Sequence, residues 1–200
     1  MPETTRTFIA IPIPDAIGSQ LARWQHSLGP QIPSCRWDET RPFHITLAFL
    51  GEVDNSDLNS LCRAVSSALE SSPRFELKIV GLGVFPSPDR PRVVWAGIQA
   101  DDLAPLTRLR AEVVQAVTQA GYRPDDDRFH PHVTLGRIKP DRRSKPHDLT
   151  NLLRREQVRS GGSFRVDEVI TYSSVLDPGG PTYAPLGRAR LHSKKDEPPR

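Results

Sequence analysis

Cysteine is scarce in this chain of 200 residues: Cys35 and Cys62 are its only two. Their spacing fits neither a zinc site nor a redox pair, and a disulfide framework has nothing to build on. Cys62 falls on the apolar side of an expected helix and reads as a small buried hydrophobe. Long apolar runs are missing as well. No stretch approaches membrane-spanning length, and the first residues lack a basic segment leading into an apolar one. The chain is therefore expected to be cytoplasmic, with no membrane partner. No glycine-rich loop opens a helix: Gly81-Leu82-Gly83 follows a strand-like run but leads into no helical pattern, which sets a dinucleotide site aside. Charge of one sign is in small excess only. Lys and Arg number 27 against 24 Asp and Glu, a net charge of +3, so an anionic partner is permitted but not required.

Proline, in contrast, is abundant at 20 residues, which implies many turns and extended connections. The length suits one domain, or two small lobes sharing a core. Thr7–Ile11 reads as a strand closed by Pro12 and Pro14. Asp15 then offers an N-cap to a helix carrying Ile17, Leu21, Trp24 and Leu28 on one face. A short strand at Cys35–Trp37 precedes a longer one from Phe43 to Leu50. A second helix carries Leu58, Leu61, Cys62, Val65 and Leu69. Strands over Phe75–Val80 and Val93–Ile98 flank a turn-rich loop from Gly81 to Pro88. The third helix starts from a cap at Asp101 or Asp102 and ends at Gly121, with Leu106, Leu109, Val113 and Val117 as its apolar stripe. An acidic connector, Asp125–Asp127, leads to a strand over Val133–Ile138. A short helix near Leu149–Leu153, a strand over Phe164–Tyr172 and a last strand around Tyr183–Leu186 follow, and residues 191–200 read as a disordered tail. The order is α+β with two halves that echo each other, each offering a helix beside a strand.

Those two strands carry the same tetrad: His44-Ile45-Thr46-Leu47 and His132-Val133-Thr134-Leu135. A His meets a Thr two positions on about one time in twenty by chance, so the added Leu in both copies makes accident a poor account. On a strand, residues two apart point to one face, and their Cα atoms lie ~7 Å apart. His44, Thr46 and Ala48 would share one face of the first strand, and His132, Thr134 and Gly136 one face of the second, the small residues leaving room for a ligand. Two facing strands would set two imidazoles and two hydroxyls around one small anion. Such a set suits a 2′,3′-cyclic phosphate. One neutral imidazole activates water, one protonated imidazole serves the leaving ribose oxygen, and the hydroxyls donate to the non-bridging oxygens. No cofactor and no metal is required by that scheme.

At this point the blocks Phe43-His44-Ile45-Thr46-Leu47-Ala48-Phe49-Leu50-Gly51 and Phe129-His130-Pro131-His132-Val133-Thr134-Leu135-Gly136-Arg137 resemble the 2H phosphoesterase superfamily. Within it, the chain is most similar to the RNA 2′,3′-cyclic phosphodiesterases, also called 2′-5′ RNA ligases. Phe8-Ile9-Ala10-Ile11, Gly81-Leu82-Gly83-Val84-Phe85-Pro86, Tyr172-Ser173-Ser174 and Tyr183 extend the likeness to about residue 190. The resemblance implies one domain over residues 1–190, a bilobal pseudo-twofold α+β fold of two antiparallel sheets flanked by helices, with a central cleft. It implies that His44 protonates the 3′ leaving oxygen and His132 activates water, leaving a 2′-phosphomonoester, while Thr46 and Thr134 hold the phosphate. It also implies that Arg137 assists at the phosphate and that Phe49 stacks on the terminal base. With regular pleating both would face away from the histidines, so each needs a bulge or a strand end.

The implied substrates are RNA ends or small cyclic nucleotides, acted on by a monomer. His130 makes a His-Pro-His cluster with His132, yet two imidazoles fall short of a zinc site, and it reads as a surface residue near the cleft mouth. His26, His147 and His192 have no partner pattern. The basic run Lys139, Arg142, Arg143 and Lys145, followed by Arg154, Arg155 and Arg159, is a solvated surface by default and a place for RNA backbone if the cleft lies near. Two other readings stand beside hydrolysis: a nucleotide- or RNA-binding module that kept the fold, and 2′-5′ ligation at the same site.

Overall fold

The first strand shows how this sheet is built. In β1 (Thr4–Pro12) five consecutive residues, Thr7–Ile11, are buried, because one face enters the main core and aromatic side chains cover the other. Ile9 and Ile11 enter the main core, while Phe8 and Ala10 join Ile170 and Tyr172 in a second, smaller cluster. A strand buried on both faces reads as a continuous apolar run. The computed structural model describes residues 3–38, 42–124, 129–139, 148–177 and 180–192. After β1 come α1 (Asp15–Leu28), β2 (Cys35–Trp37), β3 (His44–Asp54), α2 (Leu58–Ala68), β4 (Phe75–Phe85), β5 (Val93–Gln99) and α3 (Ala104–Gln119). Then follow β6 (His132–Ile138), α4 (Thr150–Glu156), β7 (Ser160–Val166), β8 (Glu168–Asp177) and β9 (Gly180–Arg190).

The strands pair in the order β7-β4-β5-β6-β3-β1-β8-β9, with β2 added to β6. Every registered pairing between named strands is antiparallel. The two expected sheets therefore meet edge to edge at β6 and β3, joined by one registered pair, Ile45↔Val133. Beyond that rung the two strands part, and β2 pairs with the far end of β6 (Cys35↔Ile138, Arg36↔Arg137, Trp37↔Gly136). The resulting fork is the cleft. The helices are exchanged across it. α1, which follows β1, packs on β6 and β7, whereas α3, which follows β5, packs on β3. Each tetrad strand thus rests on the helix of the other half, not on its own half's helix as the echo in the sequence suggests.

Several expectations need correction. Asp15 is the first residue of α1, in its first turn, with Pro14 at the cap position. Leu103 stands at the cap position of α3, and Asp102 just before it accepts the Ala104 N–H through its Oδ1 at 2.8 Å. The expected loop from Gly81 is strand: β4 continues to Phe85, because Gly81 at φ +80° absorbs an irregularity between Ile79 and Leu82 and lets the ladder with β5 resume. The single strand expected over 164–172 is two strands in opposite halves of the sheet, β7 at one edge beside β4 and β8 between β1 and β9. Phe164 and Val166 bury alternately, but Val169 and Ile170 are both buried, so the period breaks between them. At the break Asp167 turns out to ion-pair with Arg165 at 2.7 Å and Arg74 at 3.3 Å. The tail does not begin at 191: Leu191 is buried, and His192 exchanges backbone hydrogen bonds with Ser72 and Arg74. Residues 193–200, the connector Asp125–Asp127, and Arg142, Arg143 and Lys145 lie outside the described residues.

The cysteines differ from one another. Cys62 is half-buried under β9, where a Cβ at Gly187 would fall 2.8 Å from its sulfur. Cys35 is buried, and burial, reinforced by the Asp38 carboxylate, pushes its thiol up to about 12. A thiol so protonated is a poor nucleophile. Cys35 is accordingly expected to resist iodoacetamide at pH 8 in the native protein and to label on denaturation, as mass spectrometry of tryptic peptides would show.

Candidate active site

The single rung between β3 and β6 sets the geometry of the site. Ile45 and Val133 point into the core and are fully buried. An antiparallel register centred on that pair places His44 across from Thr134, and Thr46 across from His132. Each imidazole therefore faces the hydroxyl of the other tetrad. From strand rise and spacing the two His Cα atoms lie roughly 8 Å apart, room for a phosphate between the rings.

Both imidazoles are held in the same way. His44 Nδ1 lies 3.0 Å from the Pro42 carbonyl oxygen and His132 Nδ1 lies 2.7 Å from that of His130, in each case two residues upstream. A carbonyl only accepts, so each Nδ1 carries a proton, and in the neutral ring the lone pair lies on Nε2. Rings pack around both. Phe8 lies 4.9 Å and Tyr183 5.2 Å from the His44 ring, the latter edge-on. Phe85 lies 5.1 Å from His132, also edge-on, and Trp95 lies 6.1 Å away. Burial holds the His132 imidazole below its ordinary value of 6.5; His130 and Arg137 push the same way, and the bond to the His130 carbonyl opposes them.

Matched bulges follow the tetrads. In the β1–β3 ladder Ala10 pairs with Thr46 and Ile9 with Ala48, which leaves Leu47 as the extra residue. In the β5–β6 ladder Trp95 pairs with Thr134 and Val94 with Gly136, which leaves Leu135 extra. One inserted residue flips the alternation beyond it. Phe49 and Arg137 are thereby turned to the histidine face, and both line the cleft. The bulged Leu135 carbonyl is not left bare. It accepts the Asp38 backbone N–H at 2.9 Å and the Nε2 of Gln25, only 2 % exposed, at 2.7 Å.

All six residues singled out in the sequence (His44, Thr46, Phe49, His132, Thr134 and Arg137) line one cleft of about 500 Å³. The small residues after each Thr do something other than make room for a ligand. The same flip sends Ala48 into the core and packs Gly136 against β2, where a Cβ would come within 2.6 Å of Cys35 Sγ. His130 is exposed, its ring 4.8 Å from Trp95. Its carbonyl, rather than its ring, serves His132. Phe8, Phe85 and Tyr183 fall in segments that extend the likeness but are given no role by it, while Trp95 and the Arg6, Arg36 and Asp38 of the cleft wall carry no legible motif. Only the strand register brings them together.

Fold and cleft together define a class, that of a phosphoesterase. The chain belongs to the LigT-like phosphoesterase family of the 2H superfamily, whose model matches residues 11–95 and 98–183. The RNA 2′,3′-cyclic phosphodiesterase of Aeropyrum pernix is 38% identical over 174 residues, covering 87% of this chain and 96% of the relative. The crystal structure of TT0787 of Thermus thermophilus superposes with a TM-score of 0.75 at 25% identity, over 94% of this chain and 99% of that one. E. coli LigT complexed with 3′-AMP gives a TM-score of 0.73 at 27% identity with the same coverage. Among the described residues no helix is long and apolar enough to cross a membrane.

Proposed function

We propose that this phosphoesterase opens 2′,3′-cyclic phosphates at RNA ends, leaving a 2′-phosphomonoester, by acid–base catalysis from its two histidines and without a metal. Water adds to phosphorus and gives its proton to His132 Nε2. The P–O3′ bond breaks as His44 Nε2–H passes a proton to O3′, and exchange with solvent resets both rings. Thr46 and Thr134 donate hydrogen bonds to the non-bridging oxygens, where charge develops. Arg137 adds a cation at the same oxygens. Phe49, one face of which carries the Arg6 guanidinium 4.6 Å from the ring centre, stacks the terminal base on the other.

The observation that carries this reading is the crossed arrangement of two imidazoles, each with its Nδ1 anchored on a backbone carbonyl, and two hydroxyls on one cleft. The names of the relatives agree with it. Incubation with a 2′,3′-cyclic nucleotide in EDTA, with the product read by 31P NMR, is the test. A 2′-monophosphate formed at undiminished rate is expected. Absence of turnover, a requirement for added metal, or a 3′-monophosphate product would each overturn the corresponding part of the proposal.

A pH dependence follows from the state of His132. A base must be neutral to work, and burial lowers the pH at which this one protonates. The acid limb of kcat/KM is therefore expected below pH 6.5, with activity lost as pH falls through it. A limb at or above the ordinary histidine value would contradict the assignment of His132 as base.

A further inference from the structure

Resting on the proposed reaction, we infer that Arg36 forms a second phosphate subsite, which takes the phosphodiester immediately upstream of the cyclic phosphate in an RNA strand. Arg36 in β2 is the registered partner of Arg137 in β6. Directly opposed residues of an antiparallel pair share a face, with Cβ atoms about 5 Å apart, and two like charges there oppose pairing. Both side chains line the cleft. Among the described residues neither guanidinium has a salt bridge or a side-chain hydrogen bond. Asp38, the one acid among the described residues of the cleft wall, is 8 % exposed and raises the Cys35 thiol beside it.

Charge and place decide what the pair is for. A 2′,3′-cyclic phosphate is a diester with a single negative charge, and in the proposed mechanism Arg137 and the two threonines meet it. A second guanidinium in register with the first is then in surplus for a mononucleotide. Arg36 sits one strand further out, in the fork that β3 vacates after the Ile45↔Val133 rung. The first phosphate beyond the reacting one lies in that outward direction when the strand leaves by the open end of the fork. Arg6, the third arginine among the described cleft residues, is already engaged over Phe49 and lies opposite Glu52. It is therefore not the candidate.

The experiment compares three substrates at fixed ionic strength: a nucleoside 2′,3′-cyclic phosphate, the same compound with a 5′-phosphate, and a dinucleotide ending in the same cyclic phosphate. The wild-type protein is expected to favour the dinucleotide over the mononucleotide by about tenfold or more in kcat/KM, the scale of one charged hydrogen-bonded contact. Arg36→Gln is expected to collapse that ratio towards one, and Arg36→Lys to keep part of it. The variant should also flatten the dinucleotide's log kcat/KM against log salt by about one phosphate contact. The basic run after Lys139 is present in both proteins, so it cancels from the comparison. A preference for the 5′-phosphorylated mononucleotide equal to that for the dinucleotide would reassign the subsite to a terminal phosphate and overturn the RNA-strand assignment. So would an Arg36→Gln loss that is equal on all three substrates. Wild-type turnover with no advantage for a second phosphate overturns it without any variant, whereas no turnover of any substrate is a failure of the reaction proposal instead.

Discussion

Replacing either His44 or His132 with Ala is expected to lower kcat on a 2′,3′-cyclic nucleotide by about 10²–10⁴-fold, the usual contribution of a positioned acid or base. The two losses should differ in kind. His132→Ala removes the group that must be neutral, so the acid limb of the pH profile disappears. His44→Ala removes the group that must be protonated, so the alkaline limb disappears. KM should move little in either variant, because Thr46, Thr134 and Arg137 remain on the cleft wall. The double variant should cost less than the product of the singles, since two groups that work as one unit are not additive. Steady-state kinetics over pH 4–10 read all of these effects. Wild-type turnover in either single variant would end the acid–base account, whatever the resemblance.

Gly136→Ala is expected to destabilise the fold by about 1–3 kcal/mol, the range for overpacking a close contact, and to depress activity at the same time. A Cβ there would lie 2.6 Å from Cys35 Sγ and 2.8 Å from the Arg36 backbone oxygen. The sulfur could turn aside, but the carbonyl belongs to the ladder that holds β2 on β6 and cannot. Relief must therefore come from parting the two strands, which moves Arg137 with them. Gly18→Ala is the matched control. Gly18 lies within α1, where the added carbon meets only Phe43 Cδ2 at an ordinary 3.6 Å, and Gly→Ala in a helix stabilises by roughly 0.5–1 kcal/mol. Urea titration of the three proteins gives both signs. Equal stability of the wild type and the Gly136 variant would mean that β2 is not held as described.

The tetrads were legible because imidazole and hydroxyl at a spacing of two belong to one strand face, whatever the rest of the chain does. The element order was legible for the same reason, since Leu106, Leu109, Val113 and Val117 keep a helical period and cap signals bound the helix. What could not be read is the set of places where the period fails. Leu47-Ala48 and Leu135-Gly136 are each two consecutive buried positions, the trace of a bulge, yet adjacent apolar residues also suit a strand buried on both faces, as β1 is. The need for a bulge beside Phe49 and Arg137 could be stated; its position could not. Gly81 looked like a turn because a glycine between apolar residues signals a loop as readily as an irregular strand. The break at Asp167 depends on which strands β7 and β8 pair with, and the exchange of α1 and α3 depends on the three-dimensional path of the whole chain.

That exchange bears on how ligand and fold depend on each other. Because each imidazole faces the hydroxyl of the opposite tetrad, and each tetrad strand rests on the other half's helix, an anion bound between them bridges everything that must separate on unfolding. Binding to the native state alone raises stability by mass action. Inorganic phosphate or a 2′-nucleotide in the cleft would therefore act as a clasp on the whole molecule. Its affinity could be weighed from the rise in Tm with concentration, without any turnover at all.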